Sequence, residues 1–114
     1  MSDVIEKRLH ELRQQARDYA AAKSQAEYLD HFRKSKLAIL MKKYGEQGHT
    51  TTAAQEREAR ADAEYQQILA GLREATETAE RLGWELRIAM KGADLWQTQQ
   101  ANRRHEMGQY RSAS

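Results

Sequence analysis

Cysteine and proline are both absent from this 114-residue chain. Without cysteine there can be no disulfide, thiolate nucleophile or thiolate metal ligand, and the redox compartment stays open. Without proline, no helix is forced to stop for want of an amide donor. Aromatic residues are 7% and apolar residues 39% of the chain, less than the core of a compact globule of this length requires. No apolar run approaches the roughly 18 residues that would span a bilayer. The polar N-terminal segment has no signal-peptide core, so a cytoplasmic protein with no membrane partner is expected.

What the chain does contain is helix-forming residues. Charged side chains make up 32% and the mean hydropathy is −0.98. Disordered chains share that polarity but lack sustained apolar periodicity. Long helices, each burying one narrow stripe, fit both facts. Residues 1–45 hold ten Lys/Arg against six Asp/Glu, and residues 46–90 hold five against nine. A basic half followed by an acidic half suits two helices that pair with each other.

The strongest pattern runs through Ala61, Tyr65, Ile68, Leu72, Ala75, Ala79, Leu82, Leu86, Ala89, Ala93 and Trp96. These residues alternate steps of four and three, the 3.5-residue repeat of a coiled-coil seam. Tyr65, Ile68, Leu72, Leu82, Leu86 and Trp96 are therefore expected to meet a partner helix. The fold class that follows is all-α: a long antiparallel helical hairpin, self-associating into a bundle.

Chain punctuation places its parts. Helix one is expected over about residues 3–44, with Gly45 taking a left-handed C-terminal conformation. A loop covers 45–51, and Thr52-Ala53-Ala54-Gln55 reads as a capping box opening helix two. Helix two should run unbroken over about 52–106, followed by a flexible tail at 107–114. In helix one, Ile5, Leu9, Leu12, Ala16 and Tyr19 keep the rhythm, which then slips through Ala22, Ala26 and Leu29 to Leu37, Leu40 and Tyr44. Ser24-Gln25-Ala26-Glu27 offers a second capping box that would split the helix. Helix two outreaches helix one, so the chain beyond about Ala93, Trp96 included, should overhang without a partner.

Trp84, Ile88 and Leu95 lie off the seam at spacings that put them on one outer face. A hairpin alone leaves them in water, so they are candidates for an oligomer or partner interface. Gly71, Gly83 and Gly92 flank the seam, where small residues let another backbone approach.

Catalytic patterns are missing. His10, His31, His49 and His105 include no pair at metal-site spacing, and neither a nucleophile motif nor a phosphate loop occurs. No enzyme, metal or cofactor is expected. Nucleic acid, single-stranded in particular, has some support. Arg33, Lys34, Lys36, Lys42 and Lys43 cluster at the end of helix one, and Arg103, Arg104 and Arg111 mark the tail with Tyr110 available for stacking.

Three stretches resemble one group of proteins: Thr52-Ala53-Ala54-Gln55-Glu56-Arg57-Glu58-Ala59, Glu85-Leu86-Arg87-Ile88 and Trp96-Gln97-Thr98-Gln99-Gln100-Ala101-Asn102-Arg103-Arg104. They are similar to small helical proteins from the early or recombination regions of tailed-phage genomes. The resemblance covers about residues 36 to 104. It implies a location in a host cell and a non-enzymatic coiled-coil protein assisting phage DNA metabolism, in recombination or single-strand handling. The alternatives are an inhibitor or adaptor binding a host or phage protein, and a virion assembly component. No catalytic residues follow from it.

Overall fold

The computed structural model describes the backbone of residues 2–113 and the side chains of residues 3–109. Three helices follow one another: α1 (Ser2–Glu46), α2 (Thr52–Ala61) and α3 (Ala63–Ala113). α2 and α3 return antiparallel along α1 to form a rod measuring 92 × 23 × 15 Å. The all-α hairpin read from the heptads is the architecture observed.

α1 runs unbroken for 45 residues, straight through Ser24. A serine in a helix interior can point outward, and Ser24 is exposed here. The helix ends two residues later than expected, and Gly48 rather than Gly45 supplies the left-handed turn, with φ 104°. His49 N–H bonds back to the Tyr44 carbonyl at 3.1 Å, and Gly48 N–H to the Gly45 carbonyl at 3.3 Å. That pair of bonds closes a helix on a glycine in the left-handed region. Thr51, not Thr52, caps α2: its hydroxyl accepts from Ala54 N–H at 3.1 Å. Gln55 turns its amide to the His49 carbonyl at 2.9 Å and fastens the loop.

Helix two is not one rod. It breaks at Asp62, whose ψ of 136° is extended. The broken ends are satisfied on the spot. Glu64 N–H bonds to Asp62 Oδ1 at 2.8 Å, so Asp62 caps α3, and Gln66 Nε2 donates to the freed Arg60 carbonyl at 2.7 Å. The elbow packs Ala59 and Tyr65 against Leu40, with Leu37, Met41, Tyr44 and Leu69 around them. Ala61 lies exposed before the break, so the continuous seam begins at Tyr65, in the first turn of α3. α3 then continues to Ala113, past the expected end near Glu106.

From Tyr65 to Trp96 every seam residue is buried or half-buried. Opposite them α1 presents Leu12, Gln15, Tyr19, Ala22, Ala26, Leu29, Arg33, Lys36 and Leu40. This is an unbroken sequence of threes and fours. The apparent slip in helix one arises because Gln15, Arg33 and Lys36 hold seam positions; Ala16 is exposed, as are Ile5 and Leu9. Long polar side chains lay their stems along a seam while their heads reach its edge. Lys36 does this toward Glu64, at 2.6 Å.

Gly83 is buried under Tyr19, whose ring would lie 2.9 Å from an added Cβ. Around Gly71 and Gly92 such a Cβ meets nothing within 4 Å. Gly71→Ala is therefore expected to stabilise the chain by about 1 kcal/mol through helix propensity. Gly83→Ala gains the same propensity but must displace the ring, and is expected to lower the thermal midpoint. Melting curves of the two variants side by side check both signs.

Candidate nucleic-acid interface and exposed apolar faces

The basic cluster at the end of α1 is mostly occupied by the fold. Arg33 Nε bonds Asp30 at 2.8 Å, which holds the Asp30 carboxyl below its usual range. The same guanidinium is held protonated by Asp30 first and by the Tyr65 hydroxyl second. Lys36 pairs with Glu64, while Lys43 sits 3.9 Å from Asp62 and 5.4 Å from the Tyr44 ring centre. These contacts tie α1 to the elbow. Lys34 and Lys42 alone of the cluster are exposed and in no ion pair among the described residues.

Asp62 is the hub of the elbow. Tyr44 donates its hydroxyl to Asp62 Oδ2 at 2.7 Å. That bond, then the Glu64 amide and the nearby Lys43 and Lys36, lower the Asp62 pKa. The Tyr44 pKa moves up, mainly through the same bond. Sequence reading missed Asp62; the only available signal was an aspartate, a favoured cap, in an otherwise uniform helical run.

At the far end, Trp96 is not in an overhang. It is half-buried, and the Arg8 guanidinium lies 5.4 Å from its ring centre. α1 is longer than expected at both ends, and with Tyr19 level with Gly83 and Arg8 level with Trp96 the pairing reaches Trp96. Beyond Gln100 the described side chains of α3 are all exposed. This stretch carries Arg103 and Arg104, and Arg104 Nε donates to the Gln100 carbonyl at 3.4 Å. The side chains of Tyr110 and Arg111 lie outside the described residues. The two basic clusters thus occupy opposite ends of one chain.

Trp84, Ile88 and Leu95 are all exposed; Trp84 also borders a groove with Tyr19, Lys23 and Ala26, and the Arg87 guanidinium lies 4.8 Å from its ring centre. A second stripe, which sequence reading missed, lies on α1: Tyr28, Phe32 and Ile39 are all exposed. Tyr28 and Phe32 stack with ring centres 6.0 Å apart. Their 4-then-7 spacing was the available signal. No cluster of His, Asp or Glu among the described residues is arranged to hold a metal. No described helix is long and apolar enough to cross a membrane. No protein-family model, curated protein or solved structure matches the chain.

Proposed function

We propose that the chain is a non-enzymatic, self-associating coiled-coil protein that assists phage DNA metabolism by binding single-stranded nucleic acid. The supporting observation is the exposure of Arg103 and Arg104 on the stretch of α3 that follows Gln100. Of the cations that the sequence pattern singles out, Arg33, Lys36 and Lys43 are held by carboxylates, whereas Arg103 and Arg104 are exposed toward a phosphate. Lys34 and Lys42 add contacts at the other end.

Titration of a fluorescent single-stranded oligonucleotide at low and physiological salt tests this reading. Salt-sensitive binding at micromolar protein is expected. Arg103→Ala with Arg104→Ala should weaken it several-fold and lower the slope of log K against log salt by about 1.4, for two lost contacts on a single strand. Absence of binding at low salt removes the reading.

A further inference from the structure

The face of the rod that holds the Trp84 groove carries two rows of charge. Glu27 from α1 and Glu80 and Arg87 from α3 line that groove together. Along helices that hold a heptad seam, positions seven apart keep the same direction. The α1 row is therefore Glu6, Arg13, Ala20, Glu27 and Lys34, and the α3 row Arg73, Glu80, Arg87 and Asp94. All nine residues are exposed. Of these, Arg73 alone has an ion-pair partner among the described residues, Glu77 at 3.3 Å.

Each row read backwards is its own complement. Turned end for end about Ala20, the α1 row sets Arg13 against Glu27 and Glu6 against Lys34, pairs whose numbers add to 40. Turned about the midpoint between Glu80 and Arg87, the α3 row sets Glu80 against Arg87 and Arg73 against Asp94, pairs whose numbers add to 167. Every one of these pairs is of opposite sign. The two centres also fall at one level of the hairpin. Arg8 lies beside Trp96 and Tyr19 beside Gly83, so residues at one level have numbers adding to about 103. Ala20 is thus level with about residue 83, within one residue of the α3 centre.

A single two-fold axis, lying across the rod in the plane of this face, therefore serves both rows. It sets α1 against α1 and α3 against α3, each antiparallel to its mate. We propose that this face binds a second copy of the chain in that arrangement. Each charge of the rows then meets an opposite charge of the other copy. Ala20 meets Ala20 at the axis, and a side chain that small suits helices about 8–10 Å apart. Leu9 lies two heptads before Lys23 and Met90 one heptad after Gly83, so both exposed side chains sit on this face and are covered with the groove. The rows flank the apolar floor, where opposite charges fix register and orientation more than strength. In the dimer Lys34 faces Glu6, which leaves the phosphate contact at that end to Lys42. This inference rests on the self-association in the proposed function and does not depend on nucleic acid.

Sedimentation equilibrium of the full chain at low salt is expected to give twice 13.2 kDa, with association weakening as salt rises. Glu80→Arg sets like charges against Arg87 twice in each dimer and should raise the dissociation constant about tenfold or more. Adding Arg87→Glu makes each such pair opposite again and should restore association. Positions 80 and 87 lie about 10 Å apart along one helix, so that rescue comes through the mate. Arg13→Glu with and without Glu27→Arg repeats the test on α1, and the helical circular dichroism spectrum should not change in any variant. Ala20→Cys should form a covalent dimer on oxidation, while His31→Cys, about 33 Å from its mate in this register, should not. A wild-type monomer, a double variant no better than Glu80→Arg, or cross-linking of His31→Cys but not of Ala20→Cys would overturn the proposal. A wild-type dimer that binds no oligonucleotide leaves this inference standing and removes the nucleic-acid reading. A monomeric wild-type chain that still binds does the reverse.

Discussion

Replacing Tyr65 with alanine is expected to cost about 3–5 kcal/mol, the range for removing a buried aromatic ring. Tyr65 is 2% exposed and packs with Leu40 and Ala59, which are 2% and 0% exposed. These three residues form the one buried cluster among the described residues, since most of the rod is only half-buried. Folded domains commonly hold only about 5–15 kcal/mol in total, so a single truncation removes a large share. Leu40→Ala should cost about 2–5 kcal/mol by the same reasoning. Because the two side chains share one cluster, the double variant should lose less than the sum of the two. Urea unfolding followed by circular dichroism measures all three. A cost for Tyr65→Ala below about 1 kcal/mol would mean that the elbow is not the anchor.

The second large effect is acid opening of the elbow. The Asp62 carboxylate accepts from the Tyr44 hydroxyl and the Glu64 amide, so its folded pKa lies below the unfolded value near 3.8. A depressed carboxyl contributes stability that is complete above its unfolded pKa and is lost as pH falls through the folded one. Asp30, lowered mainly by its bond to Arg33, adds a dependence of the same sign. Stability should therefore be flat near neutrality and fall below about pH 4. Asp62→Asn keeps an amide oxygen able to cap α3 but removes the charge, and should flatten that acid limb. Asp62→Ala removes the cap, the Tyr44 bond and the pairing with Lys43 together. It should cost more than Thr51→Ala, whose single capping bond is worth about 1 kcal/mol. Thermal midpoints of these variants between pH 2 and pH 7 check the order and the sign. Equal acid limbs for wild type and Asp62→Asn would place the acid sensitivity elsewhere.

The seam of α3 was legible because one stripe of apolar residues faces one partner, and nothing competes with that pattern between Tyr65 and Trp96. Helix one was harder to read for a physical reason. Gln15, Arg33 and Lys36 occupy seam positions, and a pattern built only on apolar residues registers them as a slip. The break at Asp62 was hidden by good helix formers on both sides, with no glycine or proline to mark it. Only the tertiary contacts of Tyr44, Tyr65 and Gln66 make an extended Asp62 preferable to a continued helix. The cap misplaced by one residue has a local origin, since Thr50, Thr51 and Thr52 are chemically alike and the loop geometry selects among them. The basic cluster illustrates a different limit. Sequence spacing brought Arg33, Lys36 and Lys43 together but could not show that Asp30, Glu64 and Asp62 already hold them.

The antiparallel return of α3 along α1, closed by the elbow at Asp62, is the claim on which the rest depends. The chain has no cysteine, so Lys23→Cys and Glu80→Cys, which line one groove, can carry a pair of spin labels at unique positions. Labelled protein diluted into unlabelled protein confines the measured distance to one chain. Electron–electron double resonance should return a single narrow distance below about 25 Å, because packed helices lie about 10 Å apart. A distance near 85 Å, the separation of these positions on one continuous helix at about 1.5 Å per residue, would contradict the account.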